Sequence, residues 1–384
     1  MMTTAHSLTS ALQDHVARII VERGGWIGFD EFMALALYTP GLGYYANDSA
    51  KFGSMPDALQ AGEAAAGSDF VTAPELTPLF GKALANQVAQ ALQVTQTSEI
   101  WEFGAGTGAL ALQVLSSLEA LGLPLPRYNI VDLSANLRLR QQATLAKYAD
   151  AVCWVSELPD SLQGVVLGNE VLDAMPVKLL LRQSGVWHER GVVLNAAPSG
   201  AQQEGQIFSW SERPTDLRPP CPIEGEHDYL TEVHPQGEAF VRTLADKITA
   251  GAVFLIDYGF PEHEYYHPQR HMGTVMCHRS HRSDPDPLLA LGLKDITAHV
   301  NFTGIALAAQ DAGLGVLGYC TQARFLMNCG LLGLLEGALL AARVQAQRLV
   351  MEHEMGELFK VIGLYQGEPW EAIGFAQGDR THTL

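Results

Sequence analysis

The sequence predicts an α/β protein organised on a doubly wound parallel sheet, and three observations carry that prediction. Short apolar strands alternate with helical stretches from Ser98 onward, a glycine-rich loop follows the first of these strands, and the second strand ends on a carboxylate.

The elements follow in order. Region 1–97 reads as an N-terminal helical segment with a flap. Leu8, Leu12, Val16, Ile19 and Ile20 recur near helical spacing within 7–23, and a second helix is expected over Gly28–Leu37. Tyr38-Thr-Pro-Gly-Leu-Gly-Tyr-Tyr45 punctuates them, and the Ala/Gly/Ser-rich stretch Ala46–Ser68 has no period and reads as the flap. Thr77 before Pro78 starts an amphipathic helix running to about Leu92. Strands are expected at 98–103, 128–132, 152–155 and 164–168, with helices at 107–121 and 134–147. Lys178–Gln183, Val186–Leu194 and Gln206–Ser211 look antiparallel and make 178–235 an inserted β-rich cap. The core, expected over 98–177 and 236–384, resumes with a helix at 236–249 and a strand at 252–257. A helix near 303–312, a strand near 315–320, a helical insertion at 323–356 and a strand near 359–364 complete it.

The run Ser98-Glu-Ile-Trp-Glu-Phe-Gly-Ala-Gly-Thr-Gly108 is a nucleotide-cofactor loop. Gly104, Gly106 and Gly108, with Ala105 and Thr107 between them, let the backbone turn tightly beside a ligand at a helix N-terminus. A dinucleotide fingerprint would be read as Gly104, Gly106 and Ala109. Glu102 favours a different cofactor, because a carboxylate two residues before the first glycine repels a pyrophosphate and suits the ammonium and sulfonium of S-adenosylmethionine. Asp132, followed by Leu133 at the end of the second strand, is placed to accept both ribose hydroxyls. Topology alone puts the adenine near Ser156 and Glu157.

After the fourth strand comes Gly168-Asn-Glu-Val-Leu-Asp-Ala-Met-Pro176, which sets Asn169, Glu170 and Asp173 on a turn beside the expected methyl group. A guanidinium stays protonated near neutral pH, so a methyltransferase must orient it with carboxylates, and Glu170 with Asp173 suits that clamp. The same two residues also fit as helix caps. In Asp295-Ile-Thr-Ala-His-Val-Asn-Phe-Thr303, His299 is either a proton acceptor near the site or a hydrogen-bonded core residue. No metal is expected: His263, His267, His271, His278 and His281 lie in a proline-interrupted loop without zinc spacing.

A hydrophobic fraction of 47% and a charged fraction of 17% describe a globular chain, long enough at 384 residues for more than one domain. The net charge of −18 opposes nucleic acid and anionic lipid and favours basic partners. The five cysteines are odd in number, widely spread and free of any Cys-x-x-Cys, so neither a disulfide framework nor a zinc ribbon is indicated, and a reducing compartment fits. Met1–Ser10 lacks a leader pattern and Gly330–Ala342 is too short to span a bilayer, so a cytoplasmic protein without membrane insertion is expected. Oligomeric state is not legible.

Seven segments together resemble the MidA-like S-adenosylmethionine-dependent methyltransferases, the family that includes the mitochondrial complex I assembly factor that methylates arginine. They are Tyr38–Tyr45, Asp69-Phe-Val-Thr-Ala-Pro-Glu-Leu76, Glu102–Gly108, Asn169-Glu-Val-Leu-Asp-Ala-Met-Pro176, Asp257-Tyr-Gly259, Asp295–Val300 and Met355-Gly-Glu-Leu-Phe-Lys360. The resemblance implies a class I (Rossmann-like) methyltransferase sheet with an added α+β region, and a cofactor cleft lined from the N-terminal side by Thr72, Pro74 and Glu75. It also implies a protein substrate with an accessible arginine, symmetrically dimethylated, with a respiratory-complex subunit as one candidate. Asn301 stands where the family pattern has aspartate, and 47–67 is longer than the usual link. The readings set against an arginine methyltransferase are an NAD-dependent oxidoreductase and a non-catalytic assembly chaperone that retains the cofactor fold.

Overall fold

The computed structural model describes residues 2–47, 72–132, 135–195, 207–279 and 282–384. The expected flap from residue 48 onward and Leu133 lie outside the described residues. The chain divides into two units, one of Met1–Ser49, Asp173–Gly237 and Glu262–Asn301, the other of Ala50–Leu172, Glu238–Pro261 and Phe302–Leu384.

The second unit carries the parallel sheet. Its strands are β1 (Glu99–Phe103), β2 (Arg127–Val131), β3 (Val152–Val155), β4 (Leu162–Asn169), β5 (Ile248–Phe260), β6 (Gly315–Thr321) and β7 (Phe359–Gln366). They lie in the order β3-β2-β1-β4-β5-β7-β6. The first five are mutually parallel, and β7 runs antiparallel to both β5 and β6. Ile100, Val165, Leu167, Phe254 and Val361 are buried, the near-continuous apolar reading expected of strands covered on both faces. Helices α1 (Leu79–Thr95) and α2 (Ala109–Ala120) contribute Phe80, Leu84, Val88, Val114 and Leu118 to the same core. Helix α3 (Ala135–Thr144) connects β2 to β3, and α4 (Pro235–Lys247) leads into β5.

Three neighbouring strands approach closely where they begin. Gly251 pairs with Gly164 across β5 and β4, and a Cβ on Gly251 would lie 1.8 Å from the Gly164 carbonyl oxygen. A Cβ on Gly164 would lie 2.1 Å from the Glu99 carbonyl oxygen. With φ values of 130° and 141°, both positions require glycine.

The helical section expected over 323–356 is built of several short helices. The segment divides into Gln322–Asn328, Leu331–Glu336 and Leu340–Val350, followed by a wide turn at Glu352–Gly356. Gly330, at φ 87°, ends the first piece, and Leu339 leaves helical geometry at ψ 150° before the third.

The first unit is antiparallel. Val186–Leu194 pairs with Lys178–Gln183, Phe208–Pro214 and the short strand Ile27–Gly28, and Tyr229–Val233 extends the sheet beyond Lys178–Gln183. Helices Met2–Glu22 and Phe29–Tyr38 place Leu12, Val16, Ile20, Phe29, Phe32 and Met33 in a core shared with Leu179, Val192 and Phe208. A smaller sheet orders Arg282–Asp284, Met276–Arg279 and Asp295–Thr297.

Candidate cofactor and acceptor site

The strand order reverses between β1 and β4, and ligands of such sheets bind beyond the carboxyl ends of the strands at that switch. Both strands end here in polar sequence, Gly104–Gly108 after β1 and Asn169–Glu170 at the end of β4. The three loop glycines take φ values of 65°, 53° and 85° at 104, 106 and 108, a left-handed backbone that a Cβ would strain. Gly104 N–H donates to the Val131 carbonyl at 3.2 Å, which ties the loop to the end of β2. A Cβ on Gly104 would come within 3.2 Å of Val171 Cγ2, so the loop also lies close to the turn after β4. Ala105 is buried, and the Thr107 hydroxyl donates to Glu75 Oε1. Burial pushes the Glu75 carboxyl upward, against the lowering effects of Thr107 and Arg140.

Glu75 belongs to the short helix Ala73–Leu76, whose N-cap is Thr72. The Pro74 carbonyl accepts a 2.7 Å bond from Gln113 of α2, and Gln113 Oε1 accepts Gly81 N–H at 3.0 Å. The Thr72–Glu75 segment is thereby fastened to the helix that the glycine loop opens.

Glu102 is 3% exposed and accepts the Tyr128 hydroxyl at 2.7 Å. Burial pushes its carboxyl up to about 7; Tyr128 lowers it and the nearby Asp132 charge adds to the rise. Asp132 accepts a 2.8 Å bond from Gln141 Nε2, which also reaches the Gly106 carbonyl at 3.0 Å. Gln141 was not singled out in the sequence, and no local pattern marks it. Ser156 and Glu157 are exposed just beyond β3.

Asn169 Nδ2 donates to Glu170 Oε1 at 3.0 Å, while Asn169 Oδ1 is buried without a hydrogen-bond partner among the described residues. Glu170 adopts φ 55°, rare outside glycine, and its N–H donates to the Ile256 carbonyl at 2.8 Å. The buried Asp257 pins the turn: Oδ2 accepts Val171 N–H at 3.1 Å and Leu172 N–H at 2.9 Å, and Oδ1 accepts Tyr258 N–H at 3.0 Å. As a carboxylate three residues before the end of β5, Asp257 had a usable sequence signal, but only the family landmark drew attention to it.

Asp173 and His299 fall in the other unit. There the Asp173 carbonyl accepts Ala298 N–H at 2.9 Å, one residue before His299. His299 is held through its backbone, its N–H donating to Thr274 Oγ1 at 3.0 Å and its carbonyl lying 3.1 Å from the Tyr265 hydroxyl. Glu232, buried and absent from the sequence reading, accepts from Thr274 and Val275 N–H and from the Tyr265 hydroxyl. Tyr45 donates to both Asp295 oxygens at 2.9 and 2.8 Å, and burial with the Asp295 and Asp173 charges raises the Tyr38 and Tyr45 hydroxyls. Asn301 is buried and hydrogen-bonds Tyr266. Among the described residues no three His, Cys, Asp or Glu side chains gather as metal ligands; His281 is outside them.

A family model for S-adenosyl-L-methionine-dependent methyltransferases matches residues 83–320. The chain belongs to this family. A crystal structure from Burkholderia thailandensis with S-adenosyl-homocysteine bound superposes with a TM-score of 0.91 at 45% identity, covering 99% of this chain and 98% of that one. The Danio rerio protein arginine methyltransferase NDUFAF7, mitochondrial, is 28% identical over 85% of this chain and 78% of its own length. The Caenorhabditis elegans homolog is 25% identical over 92% of this chain and 86% of its own.

This methyltransferase therefore uses S-adenosylmethionine, and the oxidoreductase and non-catalytic readings are set aside. Its residues fit that cofactor: Gly104, Gly106 and Gly108 leave three loop positions without a side chain, and the carboxylates of Glu102 and Asp132 stand near the ends of adjoining strands. The cytoplasmic expectation is overturned, because the zebrafish, nematode and human relatives all carry mitochondrial names. Unpaired cysteines report only reducing conditions, which do not specify a compartment. Among the described residues no helix is long and apolar enough to cross a membrane.

Proposed function

We propose that the protein transfers methyl groups from S-adenosylmethionine to the guanidinium of a protein arginine. The observation that carries this reading is the acidic, backbone-pinned turn at Asn169–Glu170, beside the glycine loop at the switch point of the sheet. The names of the zebrafish and nematode relatives support the same acceptor. Gly104–Gly108 shape the cofactor loop, Glu102 attracts the cationic methionine end, and Asp132 accepts the ribose hydroxyls. Thr72, Pro74 and Glu75 line the N-terminal side, and Ser156 and Glu157 flank the adenine. When bound, the cofactor supplies an electrophilic methyl on a positively charged sulfur. Glu170, braced by the Asn169 amide, orients one guanidinium nitrogen toward it, disperses the positive charge and takes up the N–H proton that this nitrogen loses as its bond to the methyl carbon replaces the carbon–sulfur bond. The product proposed is symmetric dimethylarginine, on a substrate such as a respiratory-complex subunit.

The test is methylation of arginine-containing proteins with labelled cofactor, followed by peptide mapping. Wild type should label arginine, while Glu170→Ala should lose roughly tenfold to a hundredfold in rate, about the worth of one charge-assisted hydrogen bond, and Asn169→Ala, which removes the brace on Glu170, should lose several-fold. Label confined to lysine, or undiminished labelling by both variants, would reject the assignment.

A further inference from the structure

We propose that Gln141 is a positioning residue of the cofactor pocket, locking the Asp132 carboxylate and the glycine loop into one preformed surface for the ribose. The proposal rests on reading Asp132 as the ribose ligand.

Gln141 lies within α3 and is fully buried. A buried primary amide must satisfy both of its ends, and the partners of this one are informative. Nε2 spends its two hydrogens on the Gly106 carbonyl at 3.0 Å and on Asp132 Oδ2 at 2.8 Å. Oε1 accepts the Trp154 indole N–H at 2.9 Å. Gly106 follows β1, Asp132 follows β2 and Trp154 belongs to β3, so one side chain joins three consecutive strand ends. The bond to Trp154 fixes which way the amide faces, and that orientation aims the N–H pair at the loop and the carboxylate. Oδ2 of Asp132 is therefore engaged before any ligand arrives, which sets the plane of the carboxylate.

The helix is also seated for this purpose. A Cβ on Gly108 would lie 3.4 Å from Gln141 Cα, in van der Waals contact, so α3 packs directly against the third loop glycine, whose φ of 85° rather than space requires glycine. Only an amide satisfies all three contacts. Leucine or methionine would leave Asp132 and the Gly106 carbonyl without their donor, and glutamate would replace two donors with a charge facing Asp132.

A side chain that merely filled the core would affect stability and would weaken every adenosyl ligand alike. Positioning of Asp132 predicts a loss that depends on the ribose hydroxyls. Calorimetric titration of the full chain with S-adenosylhomocysteine, and with its analogue lacking the ribose 2′-hydroxyl, separates the two. Gln141→Ala should weaken S-adenosylhomocysteine about tenfold or more, as for loss of a charge-assisted bond, and the 2′-deoxy analogue distinctly less. Gln141→Glu should weaken it further at pH 8 and recover toward wild type, compared at equal pH, as acidification restores one donor. Trp154→Phe, which frees the amide without removing it, should cost about threefold and serves if the alanine variant does not fold. Binding by Gln141→Ala within twofold of wild type, equal losses for both ligands, or an unchanged Trp154→Phe would overturn the proposal. Asp132→Asn is the separate control: if it binds S-adenosylhomocysteine like wild type, the ribose reading itself fails, whatever Gln141 does.

Discussion

The Tyr128 hydroxyl donates to Glu102 Oε2 at 2.7 Å, and both side chains are buried, Glu102 one residue before the end of β1 and Tyr128 near the start of β2. Burial dominates that pair and lifts the Glu102 carboxyl to about 7, from an ordinary value of 4.5. The free protein thus binds a proton more tightly than its unfolded chain does. The stability contributed is complete below pH 4.5 and is lost as pH rises through about 7. Glu102→Gln should flatten this slope and make the ligand-free protein more heat-resistant at pH 8.

The same titration should govern cofactor affinity with opposite sign. On the proposed role of Glu102, its ionised form attracts the cationic donor, so binding should release protons and tighten roughly tenfold between pH 6 and pH 8. Titration calorimetry in buffers of different ionisation enthalpy reads both effects, and Glu102→Gln should abolish them.

Glu170 holds a left-handed backbone, at φ 55°, that few non-glycine residues adopt. Glu170→Val should lose about 1–3 kcal/mol of stability through backbone strain, whereas Glu170→Gly should unfold at or near the wild-type temperature. Both should lose methyl transfer while keeping S-adenosylhomocysteine affinity within about twofold, since no cofactor contact is assigned to this side chain.

Asp257 accepts three backbone N–H groups around the turn that carries Glu170. Asp257→Ala should cost about 2 kcal/mol or more by stranding buried donors, and turnover should fall more than cofactor affinity. Asp257→Asn keeps one acceptor oxygen and should recover part of both, as measured by chemical denaturation and steady-state rates.

At the opposite end of the sheet, Gly251→Ala would press a Cβ to 1.8 Å from the Gly164 carbonyl oxygen and should prevent folding or cost more than about 3 kcal/mol. Gly333→Ala, in a short helix with nothing within 4 Å, should be neutral or stabilising by up to about 1 kcal/mol. Expression yield and thermal unfolding of the two variants make the comparison.

What was legible in the sequence is what neighbouring residues determine. The glycine loop, the carboxylate closing β2 and the alternation of strand with helix are local patterns, and the sheet they imply is present with its reversal at β1 and β4. Gln141 was not found, and Asp257 stood only as a family landmark without a role, because each acts on groups that are distant in the chain: Gln141 reaches back to Gly106, and Asp257 to Val171 and Leu172. The Glu170 backbone was hidden for another reason: glutamate is not a residue that announces a left-handed turn. Apolar spacing continues through 323–356, so its division shows only in Gly330 and the break at Leu339, punctuation that hydrophobic periodicity overrides.

The late position of β7 has a consequence for biosynthesis. This strand, Phe359–Gln366, sits between β5 and β6 and supplies the pairing partner for both. While the ribosome is still making residues 322–358, β5 presents an unpaired edge and β6 has no neighbour to join. The nascent sheet therefore closes only when β7 emerges, and until then that edge is the surface most in need of a chaperone.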